Sequence, residues 1–504
     1  MRWTPSAAAA AALAGCSLIY NPNNLPDPRV IDAAVVDTNP CALTLMDITP
    51  KVIDEGRGDL GGAPALLVVH GNNIVNANLK IELKAQGGAT VHLDPISDAV
   101  ASADHTYAAF TVTARVDKLL GASGPVDVPL DVTVTQDTPQ GGSCMTAATA
   151  TLAGKLTFHA LPELTAKTTL STLEPKYSMV DLANVTITTQ GLAVVNAVSS
   201  ITMKAVVANA TLTVPGPGGN AGAKTVGACP TAGGGGGIGA DANLSAVSAD
   251  GGGGGGAGGG TPGTAGAAGS SGRGGAGGGA GIKSGSDLMS SLEANAACAG
   301  GGGGLGGTLV LTNPGGPGGG GGGTLALVAG GDISVTSISA KGGQGSGPAG
   351  AGGAGGGGGA GGNVLMSTET GSLAITAIDV HGGPGGSPNG GAGANGRFRW
   401  DAPAGNAPVG ATHRGPAFAA LTTHVFTTSS PPLTVVGTNG DGFSVRVVDQ
   451  AAQARDGGHA SINNGRAVVM PVLQPGFNQV CITLDGGVQE RPESDRCVEI
   501  AFLP

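Results

Sequence analysis

The sequence predicts an all-β protein in which two β-sandwiches flank a glycine-rich region. Three observations support this. Short alternating apolar stretches separated by Gly, Pro, Asn and Asp occupy both ends of the chain. Glycine supplies 97 of 504 residues, and the glycine-rich part repeats itself, since residues 325–343 align with 365–383. A parallel β-solenoid and a partly disordered linker are the two hypotheses for this middle part.

Residues 1–16 have the pattern of a signal peptide. Arg2 precedes an apolar stretch from Ala7 to Leu13, which is shorter than the about 20 residues of a membrane-spanning helix. The sequence Leu-Ala-Gly-Cys, ending at Cys16, resembles the lipobox of bacterial lipoproteins. The resemblance implies that Cys16 carries lipid, and Ser17 implies the outer membrane, on its periplasmic or surface-exposed side. A plain secretory signal is the alternative.

Residues 17–40, rich in Pro and Asn, are predicted to form an extended tether. Of the seven cysteines, Cys16 is assigned to lipid, and the other six fall two to a segment. Neither CxxC nor HExxH spacing occurs, so no metal site and no cofactor is predicted. The disulfides expected, with other pairings still open, are Cys41–Cys144, Cys229–Cys298 and Cys481–Cys497.

Composition narrows the function classes. Charged residues make up 12% of the chain, against about 25% in ordinary globular proteins. The net charge of −10 argues against nucleic-acid binding, which needs a basic surface. No nucleic-acid partner is therefore expected.

Residues 41–164 form the first predicted β-sandwich, because about seven short β-rich stretches alternate with turn residues. Ile48-Thr49-Pro50, Gly61-Gly62 and the strand from Leu67 to Asn73 resemble an IPT/TIG domain, an immunoglobulin-like (Ig-like) module. Ile74 stands where that family has an aromatic residue. The resemblance implies an Ig-like fold with a spacer or binding role rather than a reaction.

Residues 416–504 form the second predicted β-sandwich, and 401–415 the linker before it. Phe443, Val445 and Val447 alternate on one strand face. The stretch 468–486 is similar to the late strands of bacterial Ig-like domains. That similarity implies a turn at Pro475–Asn478 between two paired strands, with Cys481 and Cys497 joining adjacent strands.

Residues 165–400 form the predicted solenoid-like region. Gly330-Gly331 and Thr370-Gly371 fall at the same place in the two repeats, where a corner would need glycine. The glycine-rich excursions are expected to pack as extended polyglycine II helices. Their composition resembles the repeat regions of PE-PGRS-type surface proteins. The expected stacked pairs are Ile333 with Leu373, Val335 with Ile375, and Ile338 with Ile378.

Motifs that would indicate catalysis are weak, and no enzyme is predicted. Asp241 lies in a single calcium-nonapeptide-like stretch, and residues 381–386 look like a hydrolase oxyanion loop but lack a GxSxG partner. Trp400, beside Arg397 and Arg399, is interpreted as a solenoid cap or interdomain contact, or else as a sugar-stacking platform.

Two functions follow as hypotheses. The first is a non-enzymatic envelope lipoprotein with a structural, adhesive or display role, bound to the membrane through lipid on Cys16. The second is a carbohydrate- or ligand-binding surface protein that acts through an Ig-like domain or the solenoid face, with a surface glycan or a protein as partner.

Overall fold

The computed structural model describes residues 42–60, 62–86, 91–95, 97–116, 126–137, 148–170, 174–189, 192–210, 264–267, 306–307, 312–313, 318–347, 355–403, 405–485 and 495–504. Within these ranges all regular elements are β-strands, β1 to β29, as predicted. Leu43–Pro504 forms one compact unit. We describe it as an N-terminal body (β1–β9), a middle body (β10–β21) and a C-terminal body (β22–β29).

Two sheets with one shared core make up the N-terminal body. Their strand orders are β1-β3-β7-β5, with β6 beside β7, and β2-β9-β8-β4. Alternation creates the core: in β8, Val128, Leu130, Val132 and Val134 are buried while the residues between them are more exposed. The strand bounds are β1 Thr44–Thr49, β2 Val52–Asp54, β3 Ala65–Asn72, β4 Lys80–Ala85, β5 Val91–Pro95, β6 Val100–Ala101, β7 Tyr107–Val116, β8 Val126–Gln136 and β9 Ala148–Ala160.

Two parallel sheets enclose the core of the middle body, with orders β10-β11-β13-β17-β19 and β12-β16-β18-β20-β21. Between β11 and β20 the chain alternates from one sheet to the other, interrupted by the small antiparallel pair β14-β15. The strand bounds are β10 Thr169–Leu170, β11 Val180–Thr189, β12 Leu192–Ala197, β13 Ile201–Ala210, β14 Gly306–Gly307, β15 Thr312–Asn313, β16 Thr324–Ala329, β17 Ile333–Ser339, β18 Val364–Thr368, β19 Leu373–Asp379, β20 Phe398–Asp401 and β21 His413–Arg414.

The predicted repeat register is confirmed. Strands β17 and β19 pair in parallel, and the partners are Ile333 with Leu373, Val335 with Ile375, and Ile338 with Ile378. Ile333, Val335 and Ile338 of β17 are buried, and Ser334 and Thr336 between them are exposed. Because the repeat puts apolar residues at the same phase in both copies, stacking the strands extends one continuous core.

The described glycine segments 318–323, 340–347, 355–363 and 380–397, here called the glycine array, are ordered by hydrogen bonds between segments. The bonds recur every third residue, and three residues per turn without internal bonds is the geometry of the polyproline II helix. Segment 355–363 is buried throughout and is bonded to the other segments. This segment both accepts and donates hydrogen bonds. Its carbonyls accept from segment 318–323, with Gly319 donating to Gly357 at 2.8 Å and Gly322 to Ala360 at 2.9 Å. Its N–H groups donate to segment 340–347, from Gly356 to Ser346 at 2.9 Å, from Gly359 to Gly343 at 2.9 Å and from Gly362 to Ala340 at 2.7 Å.

Close approach of these backbones requires glycine. A Cβ placed on Gly359 would lie 1.9 Å from the carbonyl oxygen of Gly320, a separation that no side chain tolerates. The missing side chains therefore allow each helix to reach its neighbours' carbonyls, and hydrogen bonds offset the ordering cost of glycine.

Again two sheets form the C-terminal body, with orders β22-β24-β27 and β23-β29-β28-β25-β26. Phe443, Val445 and Val447 are buried in its core, as the alternation predicts. The strand bounds are β22 Ala417–Phe418, β23 Val425–Phe426, β24 Leu433–Val436, β25 Gly442–Asp449, β26 Ala454–Ser461, β27 Arg466–Val469, β28 Gly476–Leu484 and β29 Asp495–Phe502.

Two expectations for the chain around this body need correction. Pro475–Asn478 is not a turn between paired strands, because β27 and β28 belong to different sheets and β28 already begins at Gly476. The left-handed φ of +92° at Gly476 lets the chain enter the second sheet there. The predicted linker 401–415 carries β21, which extends the second parallel sheet beyond β20.

The C-terminal body packs against the N-terminal body. Leu66, Val68 and Ala109 share a small apolar core with Phe477 and Leu503. At the edge of this contact, the Ala103 N–H donates to the Pro504 carbonyl at 2.8 Å. The two outer bodies therefore lie side by side.

Candidate functional site

A buried ion cluster joins the middle body to the C-terminal body. Alternation along β20 places Arg399 and Asp401 on the same face of the strand. Arg399 donates from Nε to Asp401 Oδ1 at 2.8 Å and from Nη2 to Oδ2 at 2.6 Å, and Arg496 of β29 donates to Oδ2 at 2.5 Å. The side chains of Arg399, Asp401 and Arg496 are 2%, 0% and 6% exposed.

Electrostatics keep Asp401 ionised. Burial by itself would raise the pKa of its carboxyl group, but the charges and hydrogen bonds of Arg399 and Arg496 outweigh burial, and the pKa is lowered. Because two guanidinium groups bind one buried carboxylate, the cluster has the geometry of a fixed contact between the middle and C-terminal bodies rather than of a proton-transfer site.

Trp400 faces the opposite way from Arg399 and is 5% exposed. The guanidinium carbon of Arg414, on the neighbouring strand β21, lies 4.6 Å from the centre of its ring. Arg414 is itself held by a hydrogen bond to the Ala402 carbonyl at 3.0 Å. A sugar-stacking platform needs an exposed ring face, so this geometry favours the cap interpretation of Trp400.

A second ion cluster lies where all three bodies meet. Arg57, which follows β2, contacts Glu499 of β29 at 2.6 Å and Glu369, just after β18, at 3.1 Å. Burial would lower the pKa of Arg57, but the two carboxylates raise it above its ordinary value. One side chain thus connects the N-terminal, middle and C-terminal bodies.

A groove of about 400 Å³ lies along β17 and β19, beside the chain segment 405–409. None of the residues that line it is charged, and several carry hydroxyl groups. The lining consists of Ser334, Val335, Thr336, Ser372, Leu373, Ala374, Ile375, Thr376, Trp400, Gly405, Asn406, Ala407, Pro408 and Val409.

The structure brings together one of the expected cysteine pairs. Cys481 and Cys497 are direct cross-strand partners in β28 and β29 and form a disulfide. Among the described residues, the one cluster with metal-ligand spacing is Cys481, Asp495 and Cys497, and its sulfur atoms are already bonded to each other. Cys16, Cys41, Cys144, Cys229, Cys298, Asp241 and the tether 17–40 lie outside the described residues.

The hydrolase-like stretch 381–386 belongs to the glycine array. Gly383 donates to the Gly359 carbonyl at 2.8 Å, and Gly386 to that of Gly356 at 2.8 Å. Exposed His381 contacts Asp379 at 2.8 Å through Nδ1. No described helix is long and apolar enough to cross a membrane.

Sequence reasoning missed Arg57, Asp401 and Arg496 as key contacts. A signal existed for Arg496, a charged residue at a buried position of the alternating strand β29. Comparison with known proteins gives no matching family model, no matching curated protein and no matching solved structure.

Proposed function

We propose that this protein is a non-enzymatic lipoprotein of the cell envelope, held at the outer membrane by lipid on Cys16, with a structural, adhesive or display role. Two Ig-like sandwiches and a parallel β-solenoid would form its folded part. The lipobox-like sequence that ends at Cys16 supports the anchor. The paired sheets at each end and the alternating parallel strands support the architecture.

The structural role is supported by charged side chains that pair across the boundaries between the bodies. Asp401 binds Arg399 of its own strand and, across the boundary with the C-terminal body, Arg496. Arg57 binds Glu369 of the middle body and Glu499 of the C-terminal body. Since burying ions is costly unless they are paired, these clusters fix the relative positions of the bodies. The glycine array adds a second rigid part, with its backbone groups bonded between segments.

Lipid labelling tests the anchor. In bacteria fed a radiolabelled fatty acid, the wild-type chain should become labelled and sediment with membranes. Cys16→Ala should lose the label and appear in the soluble fraction, because the lipid supplies the membrane affinity. Ser17→Ala, one residue away, is the matched control and should remain labelled. An unlabelled wild-type chain, or a Cys16→Ala chain that still sediments, would contradict the proposal.

A second candidate function, binding of a carbohydrate or other ligand, is favoured by one observation, the uncharged groove beside β17 and β19.

A further inference from the structure

The floor of the groove is a ladder of hydroxyl groups. On β17, Ser334 and Thr336 point out from the core, and Thr376 does so on the neighbouring strand β19. Parallel pairing places Ser334 beside Ala374. Because paired strands lie about 4.8 Å apart, the hydroxyl-bearing positions form a regular polar surface with methyl groups between them.

The wall of the groove is the segment 405–409, between β20 and β21. It is bracketed by Gly405 and Gly410, whose φ angles of +114° and +78° are left-handed. A Cβ on Gly410 would lie 2.4 Å from Cγ2 of Ile378, so glycine lets the segment approach β19 closely. The exposed Asn406 and the buried Pro408 both belong to the lining of the groove.

Size and chemistry together define the ligand. About 400 Å³ falls within the ~300–1,000 Å³ of small-molecule sites. Hydroxyl and amide groups can donate and accept hydrogen bonds, whereas an ionised ligand would lose hydration without meeting an opposite charge. Val409, which is 62% exposed, offers apolar surface to the C–H face of a ring.

We propose that this groove binds a neutral oligosaccharide segment of about two sugar rings. The inference deepens the second candidate function. It is independent of the lipid anchor, because every lining residue belongs to the folded unit Leu43–Pro504.

Tryptophan fluorescence provides the test. The chain has two tryptophans, so in a Trp3→Phe chain the remaining one is Trp400, at the groove. We expect its emission to change saturably during titration with at least one of the neutral disaccharides cellobiose, maltose and chitobiose. Cellobiouronic acid, which carries a carboxylate, should bind at least tenfold more weakly than the neutral disaccharide that binds best, because no residue of the groove lining is a cation.

Two substitutions with arginine complete the test. Thr336→Arg should weaken binding at least tenfold, because the side chain fills the groove. Thr202→Arg is the matched control, because Thr202 is an exposed strand residue in register with Ser334 but outside the groove lining. The Thr202→Arg chain should bind the sugar as tightly as the unsubstituted chain. Asn406→Ala provides a second groove variant should Thr336→Arg unfold, and it should also weaken binding.

Three results would overturn the inference: no saturable change with any neutral probe, equal binding of the uronic acid, or equal effects of Thr202→Arg and the groove variants.

Cys16→Ala separates the two proposals. Unchanged sugar titration with lost lipid labelling supports both the groove and the anchor. Lost sugar binding by a folded Cys16→Ala chain contradicts the groove alone.

Discussion

Replacing one glycine of the central segment by alanine tests the glycine array directly. In Gly359→Ala, the new Cβ would lie 1.9 Å from the carbonyl oxygen of Gly320, about 1.5 Å short of ordinary contact. To relieve this overlap the two segments must separate. The hydrogen bonds on either side, from Gly319 to Gly357 at 2.8 Å and from Gly322 at 2.9 Å, would then stretch beyond bonding distance.

The expected cost follows from these contacts. Two lost bonds contribute about 0.5–1.5 kcal/mol each, and overpacking adds about 1–3 kcal/mol. We therefore expect Gly359→Ala to lower the free energy of unfolding by about 2–6 kcal/mol. Gly320→Ala is the matched control, because a Cβ there meets nothing within 4 Å. It should be neutral or stabilise by about 0.4–1 kcal/mol, through the unfolded chain.

Urea unfolding followed by far-UV circular dichroism measures the stability difference. Amide hydrogen exchange of peptides covering 355–363 detects local opening of the array even where global unfolding is unaffected. The reasoning is refuted if Gly359→Ala and Gly320→Ala agree within about 0.5 kcal/mol in urea and also exchange at equal rates, because that result would mean that the segments do not touch.

Two further predictions concern the C-terminal body and its contacts. Asp401→Asn should destabilise by about 3–5 kcal/mol because it removes the carboxylate charge that two buried guanidinium groups share. Asp94→Asn, in an exposed pair with Arg115, should cost under about 1 kcal/mol. Since the pKa of Asp401 is lowered by folding, its contribution is complete above the unfolded pKa of about 4 and is lost as the pH falls through the folded pKa. Thermal melts from neutral to acid pH should show a larger loss in the wild type than in Asp401→Asn, where other carboxylates with lowered pKa values, such as Asp104 and Asp379, still contribute. Replacing both Cys481 and Cys497 by serine removes a disulfide between residues 16 apart in sequence, and should lower the free energy of unfolding by about 3 kcal/mol. Urea unfolding without reductant measures this difference. Equal unfolding midpoints for the wild type and the double variant would contradict the value.

Periodic features were predictable from sequence. The register of Ile333 on Leu373 follows from the repeat, because identical spacing of apolar residues leaves one alignment that buries both sets. The alternation at Phe443, Val445 and Val447 likewise determines which face is buried. Both signals are local, so one chain read by itself reveals them.

Contacts between distant segments were not predictable. Asp401 and Arg496 are 95 residues apart, and Arg57 and Glu369 are 312 apart. Nothing in the local pattern around Arg57 indicates its partners. The groove depends on two strands and one later segment meeting in space, and its residues are ordinary strand and turn residues when read in order.

The sequence by itself determined the all-β class, the repeat register and the supply of glycines that permits close backbone packing, because strand periodicity and side-chain size are properties of single residues and their neighbours. Only the tertiary structure decided which carbonyl each glycine N–H meets and that the outer bodies lie side by side. It also decided that Asp401 is held between two arginines. These outcomes depend on which distant backbones can approach one another, and that is set by the packing of the whole chain.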